Sequence, residues 1–147
     1  MVAGLPRRWA VAIAAIVVAG GVVFVILSEL TPPGPLPPLL AGVKAGSGTF
    51  GDCPHTAEQA GGSVELNRRL TAQFPPGSDQ AKLSGSLAQQ GFELLGACKS
   101  DPQVQIAVFR QQPGGGFSFD MTAIVFWQAD AAGTIQWARG DVIFTGV

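Results

Sequence analysis

Nineteen consecutive residues, 9–27 (WAVAIAAIVVAGGVVFVIL), carry neither a charge nor a polar side chain. An α-helix of that length is about 28 Å long at ~1.5 Å per residue, close to the ~30 Å hydrocarbon core of a bilayer. It keeps no polar face for water, so a soluble core helix is a poor reading. Arg7 and Arg8 precede the run, Glu29 follows it, and the next basic residue is Lys44. The positive-inside bias then holds the N-terminus in the cytoplasm and sends the rest across. Three rivals compete with this single-pass anchor over residues 1–30. A cleavable signal peptide wants a shorter apolar core and a small-x-small site, whereas Ser28-Glu29-Leu30-Thr31-Pro32 follows here. A lipoprotein wants a Cys just after the run, and the first is Cys53. Twin-arginine export wants more of its signal than Arg7-Arg8 followed by Trp9-Ala10. Ala10/Ala14 and Ala15/Ala19 have the small-xxx-small spacing of close helix pairing, although small residues are common in membrane helices generally.

Residues 31–48 read as a Pro/Gly-rich stalk. Thr31 to Pro38 (TPPGPLPP) holds five prolines in eight residues. Proline fixes φ and removes backbone donors, so polyproline II spanning about 25 Å is expected, with a Gly/Ser/Ala-rich run to residue 48 adding slack. A ligand for a proline-recognition module is the alternative.

Residues 49–147 are then one small extracytoplasmic α+β domain, the periplasmic part of a protein in a bacterial-type inner membrane. With a formal charge of −1 for the whole chain, and −2 beyond Pro38, there is no basic stripe and no nucleic-acid partner is expected. The expected partners are the lipid bilayer and another membrane or periplasmic protein. Cys53 and Cys98 are the only cysteines. In an oxidising compartment an even pair reads as a disulfide, and closing a loop of this length contributes roughly 4 kcal/mol in the chain-entropy model. Two free buried thiols are the alternative.

Ser63 is placed to cap VELNRRLTAQF, whose Leu66, Leu70 and Phe74 recur every four residues, and Pro75-Pro76 ends that helix. Ser78 is expected to cap DQAKLSGSLAQQ, with Leu83 and Leu87 inward and Gly91 as the left-handed stop. The short linker predicts a helical hairpin. Strands are expected over residues 92–95, 104–110, 117–128 and 134–138, with residues 141–145 continuing the last one or adding an edge. The fold class is a two-layer α+β domain with a helical hairpin on an antiparallel sheet, ααβββ or ααββββ.

The run from Leu66 to Phe74, the segment PPGSDQAKLSGSLAQQGF and the Asp130-x-x-Gly133 turn together resemble the small outer-membrane assembly lipoproteins of the SmpA/OmlA type and their relatives with a β-lactamase-inhibitor-like fold. The likeness covers residues 66–147. It implies a helix pair followed by a three-stranded meander, in a non-enzymatic domain that works by binding other proteins. This chain departs from the pattern in having an apolar anchor where those proteins have a lipidated cysteine.

Little else suggests chemistry. Asp52-Cys53-Pro54-His55 gathers a thiol, an imidazole and a carboxylate, but a cystine would take the nucleophile away and zinc wants four ligands. Gly114 to Gly116 lacks the Lys-Ser/Thr of a phosphate loop. The carboxylates are scattered. No enzyme activity and no cofactor are expected. The sheet is more informative. Phe117, Phe119, Met121, Ala123, Val125 and Trp127 alternate as a core-facing row, and in the second strand Val104, Ile106 and Val108 are taken as the inward side. The opposite face should be polar in a two-layer domain, yet it carries Phe109, Ile124, Phe126 and Ile143. These four are the candidate partner-binding patch; covering about 300 Å² of apolar surface contributes several kcal/mol. The alternatives are that residues 41–52 fold back over this face, or that a bulge near Gly140 brings Ile143 into the core. The expected role is a membrane-anchored accessory or scaffold subunit, with a periplasmic inhibitor or small-ligand-binding module as the second hypothesis.

Overall fold

The computed structural model describes residues 34–46, 50–60, 62–111 and 120–145. The proposed anchor with Arg7 and Arg8, the first prolines of the stalk, the Gly114–Gly116 turn, and Phe117 and Phe119 all lie outside the described residues. Among the described residues no helix is long and apolar enough to cross a membrane.

The expected element order is present: α1 (Val64–Gln73), α2 (Gln80–Gln89), β1 (Glu93–Ala97), β2 (Val104–Arg110), β3 (Asp120–Ala129) and β4 (Ile135–Thr145). The strands form one antiparallel sheet in the order β1-β2-β3-β4, a plain meander. β4 is continuous through Gly140, which stands opposite Val125, so no bulge there swaps its faces; the register shift falls at Gln128/Ala129.

Ser63 caps α1 by accepting from the Leu66 N–H. The cap of α2 is Asp79 and not Ser78: its carboxylate accepts from the Ala81 N–H at 2.7 Å. Ser78 is instead occupied by sheet-like pairing, its carbonyl accepting from the Ile135 N–H at 2.8 Å. Gly77 donates to the Ile135 carbonyl and Gln80 to that of Gly133, so the whole inter-helix linker is stitched to the start of β4. That stitching corrects the expected hairpin. The helices are spread across the sheet, with α1 against β4 and α2 against β1, rather than packed mainly on each other.

Residues 34–46 bridge the two helices. The Leu39 N–H donates to Gln90 Oε1 at the end of α2 (2.9 Å), and Arg69 of α1 donates to the Pro38 and Leu39 carbonyls (3.0 Å each). Leu39, Leu40 and Val43 are buried in the same cluster as Leu66, Leu70, Leu83 and Leu87, with Leu36 packed at its margin. This part of the expected stalk is therefore core. Prolines set the backbone path, but the leucines between and after them are apolar and go where apolar surface is removed from water. Further on, Gly46 lies parallel to the free side of β4, donating to the Val142 carbonyl (2.8 Å) and accepting from the Phe144 N–H (3.1 Å).

The bridge has a pH signature. Glu65 accepts from both Arg68 and Arg69, and these bonds, Arg68 first, hold its carboxyl at about 2, down from 4.5. A depressed carboxylate contributes stability that is complete above its ordinary value and is lost as pH falls through the folded one. Between pH 4.5 and 2 the Glu65→Gln variant should lose less of its melting temperature than the wild type. It should also exchange the Leu39 amide faster at neutral pH. Parallel melting curves across that window would overturn this account.

Candidate functional site

The sheet has two clad faces. On the helix side lie Ala107, Phe109, Met121, Ala123, Val125, Trp127, Ala138 and Val142. On the other lie Val104, Val108, Ile124 and Phe126, with Ile106 and Trp137 beside them. Phe109 is thus on the helix side, its ring 5.5 Å from that of Phe92, and the expected facing of β2 is reversed. Alternation cannot decide the facing of a strand whose two sides are both apolar, and β2 is such a strand because its outer side is also covered.

The cover is residues 50–60. Phe50, Cys53 and Ala60 pack over Ile124 and Phe126. Cys53 and Cys98 form the expected disulfide, with Cα atoms 6.0 Å apart and a sequence separation of 45. Close by, His55 Nδ1 lies 2.9 Å from Asp101 Oδ2, and the Gln103 N–H donates to Asp101 Oδ1 at 3.0 Å. The His55 bond first, then the Gln103 N–H, hold the Asp101 carboxyl below the usual range. Cystine and His55–Asp101 contact together pin the cover to the β1–β2 turn.

The four predicted patch residues accordingly do not form one exposed surface. Phe109 (9% exposed) belongs to the opposite layer, Ile124 (9%) and Phe126 (5%) lie beneath residues 50–60, and Ile143 (6%) pairs with Thr122 next to Gly46. Of the expected cover over residues 41–52, only residues 50–52 take part: Val43 and Ala45 pack into the helix-side cluster, Gly46 runs along β4, and the cover continues to residue 60. Cys53, being in a disulfide, has no thiol to offer, and no group of three or more potential metal ligands occurs among the described residues.

With both faces clad and the β4 side occupied by Gly46, β1 remains as the sheet's other edge. All five of its residues are exposed, Leu94 at 45% and Leu95 at 51%. The local sequence explains why. Gly91, at φ +84°, ends α2, and Phe92 is buried against Phe109. Glu93-Leu94-Leu95-Gly96-Ala97 then pairs with β2 on one side, through a register shift between Leu94 and Gly96. Gly96 takes φ +81° at this bulge, a conformation that glycine adopts without steric cost. Leu94 stands opposite Ala107, on the helix side; Leu95 borders an open groove with Ala97 and Ile106. That groove, about 690 Å³, is rimmed by Asp52, His55 and Lys99.

This edge was not singled out from the sequence, although a partial signal was there. Two adjacent leucines in a strand point to opposite faces, so both stay buried only where the sheet is covered on both sides, as at β3 and not at the β1 edge. A second, glutamine-lined groove lies near the β3–β4 turn. Its amides partly satisfy one another, Trp137 Nε1 donating to Gln128 Oε1 (2.8 Å) and Gln128 Nε2 to Gln103 Oε1 (2.9 Å).

Comparison with protein-family models, curated proteins and solved structures found no match for this chain.

Proposed function

We propose that this chain is a membrane-anchored, non-enzymatic accessory or scaffold subunit whose extracytoplasmic domain binds protein by accepting an extended strand at β1. The observation that carries the reading is the exposed β1 edge, with Leu94 and Leu95 standing out from it. An unpaired strand edge presents a row of N–H and C=O groups that another extended backbone satisfies, while side chains in flanking grooves give selectivity. The apolar run after Arg7 and Arg8 supports the tether, with the N-terminus cytoplasmic and the domain in the periplasm of a bacterial-type inner membrane. The Cys53–Cys98 disulfide accords with an oxidising compartment. The resemblance to outer-membrane assembly lipoproteins also points toward a protein-binding role. An inhibitor or ligand-binding module would instead favour an enclosed pocket with convergent polar groups, and the groove beside β1 is open.

A photo-crosslinking amino acid at Leu95 of the full chain, activated in intact cells, tests this. The expected result is one dominant protein adduct, identified by mass spectrometry, that falls at least fivefold when Leu94→Lys is added. The same probe at the exposed Gln136 should give no such adduct. Equal yields from the two positions, or a yield indifferent to Leu94→Lys, would remove the edge from consideration.

A further inference from the structure

We infer that the Cys53–Cys98 disulfide is a redox clasp: a partner dithiol entering the groove beside β1 reduces it through Cys53, and the reduced chain lifts residues 50–60 off Ile124 and Phe126. The inference stands whether or not β1 receives a strand.

The two sulfurs are not equivalent. Cys53 is half-buried and lines the open groove of about 690 Å³, together with Leu95, Ala97 and Ile106. Cys98 is 2% exposed, belongs to the apolar cluster of the outer face, and does not line the groove. A thiolate arriving from solvent therefore meets Cys53, since access decides which sulfur of a disulfide is attacked. Lys99 in the same lining favours that approach, with Asp52 as the carboxylate that opposes it.

Exchange proceeds in two balanced steps. The first thiolate bonds to Cys53 Sγ, the Cys53–Cys98 bond breaks, and its electron pair goes to Cys98 Sγ, which takes a proton from water. The partner's second thiolate then attacks the partner sulfur of the mixed disulfide and expels Cys53 as a thiolate. Two electrons have moved: the partner leaves as a disulfide and this chain holds two thiols. The direction requires a dithiol of lower reduction potential than this pair.

What the bond holds determines what its reduction does. The hydrogen bonds printed by the backbone of residues 50–60 close within the segment: the His55 N–H donates to Gln59 Oε1 (2.9 Å), the Gln59 N–H to Thr56 Oγ1 (3.4 Å) and the Ala60 N–H to the Thr56 carbonyl (3.2 Å). The segment is held to the sheet chiefly by the cystine, the His55–Asp101 contact and the packing of Phe50 and Ala60. That His55 contact is exposed, and an exposed pair contributes little. Cutting the cystine therefore removes the strongest tie. The pairing of β2, β3 and β4 and the helix-side cluster do not involve residues 50–60, so the domain keeps its fold while an apolar face is bared. Such a face is a binding surface that exists only in the reduced state.

Full-length protein in detergent micelles tests this with three measurements. Reduced glutathione, trapped with N-ethylmaleimide and mapped by mass spectrometry, should be found on Cys53 about tenfold more than on Cys98. The rate of reduction by dithiothreitol should change less than about twofold between zero and 1 M urea, whereas a reaction that waits for global unfolding should rise roughly fivefold or more. After reduction the Ala60 amide should exchange about tenfold faster or more, because a lone turn freed from packing does not persist in water. The Phe74 and Ile135 amides, bonded to the Leu70 and Ser78 carbonyls, should keep their protection. A disulfide that resists dithiothreitol, glutathione shared evenly or placed on Cys98, or a rate that follows global unfolding overturns the inference. So does an Ala60 amide indifferent to reduction, or one that loses protection together with Phe74 and Ile135.

Discussion

Replacing Cys53 and Cys98 together by alanine should destabilise the domain by about 4 kcal/mol, within the 2–5 kcal/mol typical of a native disulfide in a small domain. The bond spans 45 residues of sequence and crosses from the covering segment to the end of β1, so it restricts a long stretch of the unfolded chain. Against a total of about 5–15 kcal/mol for a domain, this is a large share, and the urea midpoint should fall accordingly. The loss should also have a place. Residues 50–60 are held over Ile124 and Phe126 by the cystine, the His55–Asp101 contact and the packing of Phe50 and Ala60. Without the cystine the cover should lift before the helices melt, and a dye that reports exposed apolar surface should bind below the main transition. A variant within 1 kcal/mol of wild type, with no dye binding, would show that packing alone retains the cover.

The second large effect is expected at Gly140, where α1 meets β4. A Cβ built there would lie 2.6 Å from Leu66 Cδ2 and 3.1 Å from the Ile124 carbonyl oxygen. Leu66 is fully buried, and its helix is stapled on both sides of the glycine: the Gly140 N–H donates to Asn67 Oδ1 at 2.7 Å, and the Gly140 carbonyl accepts from Ser63 at 3.2 Å. The helix cannot retreat without stretching those bonds. Gly140→Ala should cost about 1–3 kcal/mol as overpacking, and Gly140→Val more. In a domain of this size that lowers the melting temperature by roughly 5–20 °C. A double-mutant cycle tests the cause. Leu66→Ala alone should cost about 2–5 kcal/mol, and combined with Gly140→Ala the total should be less than the sum, since the new methyl occupies vacated space. Strict additivity would mean that Leu66 is not the obstacle.

What could be read beforehand follows the physics of each signal. Leu66, Leu70 and Phe74, and Leu83 with Leu87, recur at helical spacing, and both helices lie within a residue or two of expectation. The meander followed from short turns and alternation in β3. Three things were not legible. The facing of β2 was inverted because alternation needs one wet face, and Val104-Gln105-Ile106-Ala107-Val108-Phe109 has none. The cover over the outer face has no periodicity; its few apolar contacts, Phe50, Cys53 and Ala60, are scattered through polar residues and held by a covalent bond. Residues 34–46 resembled a spacer because proline dominates their composition, while Leu39 and Leu40 at the end of the run decide their burial. The proposed site lay between these cases. Adjacent leucines at 94 and 95 put one on each face, as the buried run from Ile124 to Trp127 also does, so the pair alone does not mark an edge; which edge stays open depends on Gly46 occupying the other, a contact between residues 96 apart or more in sequence.

The burial of Leu39 and Leu40, with Leu36 packed against the same cluster, fixes how far the domain can stand from a lipid surface. For a chain tethered as proposed, Leu36 stands nine residues past the end of the apolar run, a reach of at most roughly 30 Å whatever path the chain takes between them. The domain would then skim the headgroups and explore a thin layer, so whatever meets β1 must itself be found at that height.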